Sequence, residues 1–155
     1  MIEILGVDMW GTIRRLDTED MIPEAFSALQ QLVSKRFSER VWLVSAARTG
    51  EESLNWLKEQ NFYGKTGILP EHVKFCRLGE KPSLCDKLGV THIIDDNDFV
   101  LTRVNTAQYR YLFHVDDDGS LKILMPEDKL KKIQIVTSWK EILNILLPKN
   151  RAGRE

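Results

Sequence analysis

Asp8 closes the apolar run Ile4-Leu5-Gly6-Val7 and leads into Met9-Trp10-Gly11-Thr12. Far along the chain, Asp95-Asp96 close a second apolar run, Thr91-His92-Ile93-Ile94, and Lys81 lies between the two. An early carboxylate, a lysine and a late acidic pair, brought together, can hold a divalent cation and a phosphate. The carboxylates supply hard oxygen ligands, and the ammonium neutralises an anion. Adjacent carboxylates repel one another unless a cation or solvent screens them, so Asp95-Asp96 is the hardest of these features to assign to chance. Taken singly, the others are weak: a strand-end Asp is often a turn former or a cap, Lys81 reads as surface charge, and Ser45 reads as a local hydrogen bonder.

The elements that must position these residues follow from apolar periodicity. Ile2 to Val7 and Val41-Trp42-Leu43-Val44 are short apolar runs, read as buried strands, and the second ends in Ser45-Ala46-Ala47-Arg48. A polar loop, Arg14 to Asp20, precedes a helix with Pro23 near its start and Phe26, Leu29, Leu32 and Val33 at helical spacing. Thr49 with Glu52 predicts a capping box for the next helix, whose inner face carries Leu54 and Leu57. Val73-Lys74-Phe75 is a further strand, Lys81-Pro82 opens a helix closed by Gly89, and Phe99 to Val104 is a short helix, with Asp98 expected as its cap. Tyr109 to Val115 and Leu121 to Met125 flank the turn signal Asp116-Asp117-Asp118-Gly119-Ser120, which predicts a hairpin. Ser138 with Glu141 predicts a capping box for a last helix, ended by Pro148. Strands alternating with helices predict an α/β fold: a three-layer, Rossmann-like parallel sheet with helices on both faces. Ligands of such sheets sit beyond the carboxyl ends of the strands, where Asp8, Ser45 and Asp95 all fall. The expected organisation is one domain over residues 1–148 with a flexible tail over 149–155.

The order of Asp8 with Gly11-Thr12, then Ser45, Lys81 and Asp95-Asp96 resembles the haloacid dehalogenase (HAD) superfamily, over roughly Ile2 to Val104. The resemblance implies that Asp8 is the nucleophile, forming an aspartyl-phosphate that splits hydrolysis into two steps. It implies Mg²⁺ as cofactor, held by Asp8, the backbone carbonyl of Trp10, and Asp95 and Asp96, with Asp96 as the direct ligand and Asp95 acting through water. Ser45 would hydrogen-bond a phosphoryl oxygen, and Lys81 would neutralise the phosphate and orient Asp8.

The chain departs from that pattern at Trp10. Phosphatases of this superfamily usually carry a second aspartate two residues after the nucleophile, as general acid and base. Tryptophan can do neither, and such assistance is typically worth about 10²–10⁴-fold. The leading expectation is therefore a slow, Mg²⁺-dependent phosphohydrolase. A catalytically impaired phosphate-binding or protein-interaction module on the same fold is the alternative. Dehalogenation ranks third: the dehalogenase branch also has an aromatic residue at this position but does not use the late acidic pair for metal. The spacing leaves no room for a large cap, so a bulky or macromolecular phosphorylated substrate, a protein partner or a second copy of the chain would complete an open site. A response-regulator receiver would place its acidic pair early, and a dinucleotide binder needs a glycine-rich turn that Gly6 and Gly11 do not supply.

Composition narrows the remainder. The 22 basic and 23 acidic residues nearly cancel, giving a formal net charge of −1, so bulk attraction to nucleic acid or anionic membrane is not expected. No apolar run is long enough to span a bilayer, and the expected location is cytoplasmic. Cys76 and Cys85 show no metal-ligand spacing and are expected as free thiols. His72, His92 and His114 are expected to be structural, and Asp116-Asp117-Asp118 lacks the spaced ligands of a calcium loop.

Overall fold

The computed structural model describes residues 2–47, 50–114 and 133–149. Its apolar runs form one sheet of six strands: β1 (Leu5–Val7), β2 (Val41–Ala46), β3 (Val73–Cys76), β4 (His92–Asp95), β5 (Tyr109–Phe113) and β6 (Gln134–Val136). The strand order is β3-β2-β1-β4-β5-β6, and every neighbouring pair is parallel. In register, Val7 lies opposite Leu43 of β2 and Ile94 of β4, so β1 is central.

Side chains alternate between the two faces of each strand, as a sheet covered on both sides requires. Leu5, Val7, Val41, Leu43, Ile94, Tyr111 and Phe113 join one core cluster, while Val44, Ile93 and Leu112 join the other. The first cluster is closed by α1 (Ala25–Leu32), α2 (Glu51–Glu59), α3 (Phe62–Thr66) and a C-terminal helix, Trp139–Leu146. The second is closed by α4 (Lys81–Leu88) and α5 (Asp98–Arg103). The C-terminal helix is α6. This is the predicted three-layer, Rossmann-like arrangement. The β1–β2 and β2–β3 connections are occupied by α1 and by α2 with α3, and no large cap stands over the sheet among the described residues.

Local signals act largely as expected, with two differences. Ser138 Oγ accepts from the Glu141 amide at 3.1 Å, capping α6, and Gly89 closes α4 at φ 74°. Asn97, not Asp98, caps α5: its side chain accepts from the Val100 amide at 3.3 Å, and Asp98 is the first helical residue. Gly50 immediately precedes α2; Thr49, expected as the cap, lies outside the described residues, as does Arg48. β6 is a strand that periodicity did not announce, because only three residues pair. The predicted turn over Asp116 to Ser120, its second strand and most of the tail also lie outside the described residues. Among the described residues, no helix is long and apolar enough to cross a membrane.

Candidate active site

The chain leaves β1 toward β2 and β3 on one side, and later toward β5 and β6 on the other. The crevice between β1 and β4 is thus the topological switch point of the sheet, where such folds place ligands. The Asp8 amide donates to the Ile94 carbonyl at 2.9 Å, which carries the β1–β4 pairing one residue past Val7 and sets Asp8 beside Asp95. Lys81, the first residue of α4, reaches into this crevice. Its Nζ lies 2.7 Å from Asp8 Oδ1, as a hydrogen bond, and 2.7 Å from Asp95 Oδ2, as an ion-pair contact outside hydrogen-bond angles. Asp8, Lys81 and Asp95 are 6%, 2% and 1% exposed. A lysine at a helix N-terminus opposes the helix dipole, so this choice breaks a local rule that the two carboxylates offset.

Asp8, Asp95 and Asp96 can each offer a carboxylate oxygen, all within 4.8 Å of one another. Burial and the neighbouring Asp8 charge push Asp95 up to about 7, against the pull of Lys81. Burial, Asp8 and Asp95 push Asp96 up to about 9. Burial disfavours the Lys81 ammonium, but Asp8 and Asp95 outweigh it and raise its pKa above the ordinary lysine value. Three crowded carboxylates with one ammonium carry excess negative charge, which a proton or a hard cation would relieve. The donor set is all oxygen, which suits Mg²⁺ or a similar cation.

The loop after Asp8 is tied down from several directions. The Ile13 and Arg14 amides both donate to the Met9 carbonyl, at 2.8 and 3.0 Å, and the Gly11 amide donates to the Arg14 carbonyl at 2.7 Å. Gly11 has φ +83°, and a Cβ there would collide with the Asp96 carboxylate, so glycine is required on two counts. Thr12 Oγ1 donates to Asp8 Oδ2 at a long 3.4 Å. From the far end of the sequence, the Trp139 indole N–H donates to the Thr12 carbonyl at 2.8 Å, with Trp139 fully buried.

Ser45 lies at the carboxyl end of β2, two residues beyond the Val7–Leu43 pair. It is fully buried, and its hydroxyl has no hydrogen-bond partner. A buried orphan hydroxyl costs about 1–3 kcal/mol, an expense that calls for an explanation. Trp10 is turned elsewhere: its indole N–H donates to Ser53 Oγ at 3.0 Å, and the Arg14 guanidinium stacks 3.7 Å over its ring. The Trp10 carbonyl belongs to the loop beside the carboxylates.

Distances therefore join Asp8, Lys81, Asp95 and Asp96, with Gly11 and Thr12 at their side. Ser45 shares the sheet edge, and its hydroxyl makes no hydrogen bond to them. Sequence reasoning missed Arg14, which looked like part of a polar loop but is 4% exposed, and it missed the tie from Trp139 to Thr12. The only available signal for Arg14 was two tryptophans, Trp10 and Trp56, that become its neighbours in space. Cys76 and Cys85 are free, and burial pushes both thiols up, Cys85 to about 12, so neither is poised as a nucleophile. The sequence matches no protein-family model, and no curated protein matches it. What the site does therefore rests on its own residues.

Proposed function

We propose that this chain is a Mg²⁺-dependent phosphohydrolase of the haloacid dehalogenase type, slow in turnover, with Asp8 as nucleophile. The observation that carries this reading is the buried Lys81 ammonium, 2.7 Å from both Asp8 and Asp95, with an Asp96 oxygen inside the same cluster. Lys81 holds Asp8 in place at 2.7 Å, and it neutralises part of an incoming phosphoryl group. Asp8 attacks phosphorus; its oxygen forms the new P–O bond as the bond to the leaving oxygen breaks with its electron pair. Water then cleaves the aspartyl-phosphate, releasing phosphate and restoring the carboxylate. The unpartnered Ser45 hydroxyl is available to donate to a phosphoryl oxygen.

Mg²⁺ would be held by Asp8, Asp96 and the Trp10 carbonyl, and when bound it would mask the phosphate charge from the attacking carboxylate. Asp95 already commits one oxygen to Lys81 and the other to the Asn97 amide at 3.0 Å, which favours Asp96 as the direct ligand and Asp95 acting through water. With Trp10 where a general acid would stand, the leaving group must depart unprotonated. The substrates favoured are thus acyl and aryl phosphates rather than alkyl phosphates. The open edge suits a bulky phosphorylated substrate, or a protein partner or second copy that completes the site.

The test is hydrolysis of an aryl phosphate with Mg²⁺ and after chelation, by wild type and Asp8→Asn. Metal-dependent hydrolysis lost in Asp8→Asn supports the enzyme. One observation favours a second reading, a noncatalytic phosphate-binding or interaction module: the Trp10 side chain is fully engaged with Ser53 and Arg14. Metal or phosphate binding without turnover would establish that module instead.

A further inference from the structure

We propose that Arg14 is the receptor for a second anionic group on the substrate, so that the site selects phosphates that also carry a carboxylate or another oxyanion. This rests on the phosphohydrolase reading and narrows its substrate class. Arg14 is 4% exposed, yet its Nε and Nη1 have no hydrogen-bond partner. Its cation is steadied by rings instead, stacked 3.7 Å over Trp10 and 5.8 Å from Trp56. A guanidinium is always charged and presents a planar fork that fits an oxyanion with two parallel hydrogen bonds. Here that fork is unfilled.

Two carboxylates mark the direction from which an anion approaches. Glu19 Oε1, from the loop, and Glu52 Oε1, from the first turn of α2, each lie 3.9 Å from Arg14 Nη2, too far to hydrogen-bond. Their side chains are 84% and 73% exposed, so they can turn into water at little cost. A ligand oxyanion in their place would engage Nη2, the nitrogen both glutamates face. The Arg14 amide is bonded to the carbonyl of Met9, the residue after Asp8, so Arg14 and Asp8 belong to one tied-down loop.

The experiment is calorimetric binding, with Mg²⁺ present, of phenyl phosphate and 3-carboxyphenyl phosphate to the Asp8→Asn protein, which cannot turn them over. The expected result is binding of the carboxylated compound at least about tenfold tighter, the scale of one hydrogen bond to a charged group. Adding Glu19→Gln and Glu52→Gln removes the competing carboxylates and raises that ratio, whereas adding Arg14→Gln brings it to about one. Equal affinities in the Arg14-containing protein, or a preference that survives Arg14→Gln, overturn the proposal while leaving phosphate chemistry intact. Binding of neither compound to the Asp8→Asn protein, with no hydrolysis of either by the wild type, removes the phosphohydrolase reading and this one with it. If Arg14→Gln does not fold, the two exposed glutamate substitutions decide alone: no rise in the ratio refutes the receptor role.

Discussion

Replacing Lys81 by methionine strands two buried carboxylates, and the size of the effect follows from the geometry. The ammonium is 2% exposed and lies 2.7 Å from both Asp8 and Asp95. Burial alone would drive its pKa down, yet its pKa is raised, so the two carboxylates stabilise the charged form by more than burial costs it. A group whose folded pKa exceeds its unfolded value contributes fully below the unfolded pKa, near 10.5, and is lost only as pH rises through the folded value. At neutral pH the whole contribution is present. Removing one partner of a buried pair typically costs about 3–5 kcal/mol, because the other charge stays buried and unpaired. With a urea slope of about 1–3 kcal/mol per molar, the unfolding midpoint should fall by roughly 1 M or more. Asp95 can escape by taking up a proton, its pKa being already pushed up to about 7. The deficit of Lys81→Met should therefore be largest near pH 8 and shrink by pH 5.5. Urea unfolding with chelator present, at both pH values, is the assay. A second variant, Lys81→Met with Asp95→Asn, should recover part of the loss, since it removes one stranded charge. A deficit under about 1 kcal/mol at pH 8, or one unchanged at pH 5.5, would refute the buried ion cluster as described.

Other perturbations probe the surroundings. Gly11→Ala forces a side chain into the left-handed backbone region and against the Asp96 carboxylate; a stability loss of about 1 kcal/mol or more in thermal unfolding is expected, with weakened Mg²⁺ binding by calorimetry. Trp10→Asp should raise hydrolysis of an alkyl phosphate such as glycerol phosphate, with a ceiling of about 10²–10⁴-fold set by general acid–base assistance. The gain in kcat should be larger when Arg14→Gln is added, because Arg14 lies over residue 10 and would draw a new carboxylate into an ion pair. At the opposite edge of the sheet, burial and then Arg36 hold His92 down at about 4, against an ordinary 6.5. Its neutral form is the folded form, so its contribution is complete above pH 6.5 and is lost as pH falls toward 4. Stability should drop there by up to about 1.4 kcal/mol per pH unit from this group, and His92→Phe should flatten that slope in urea unfolding.

The strands that carry the site were legible because the central ones are buried on both faces and read as continuous apolar runs, as in Val41 to Val44 and Thr91 to Ile94. Asp8, Ser45 and Asp95 could be placed at one sheet edge for the same reason: a parallel sheet sends all its carboxyl ends the same way. β6 stayed hidden, since three paired residues, two of them exposed, leave no periodic signal. The cap of α5 was misplaced by one residue because Asn97 and Asp98 are both good caps, and only the hydrogen bond to Val100 distinguishes them. Arg14 was beyond reach for a different reason. Its neighbours are Trp10 and Trp56, the latter 42 positions away in the numbering, and no local rule predicts a guanidinium stacked over one ring and near another. The Trp139 bond to Thr12 spans 127 positions and is likewise a product of packing.

The central claim is that the edge formed by Asp8, Asp95 and Asp96 takes a divalent cation for phosphate chemistry, and Mg²⁺ titration by calorimetry of wild type and Asp96→Asn tests it most directly. The account predicts a single saturable Mg²⁺ site in the wild type that is lost or weakened by about tenfold or more in Asp96→Asn, the scale of one lost charged ligand. Absence of Mg²⁺ binding by the wild type, with or without an aryl phosphate, or equal binding by the variant, would contradict it.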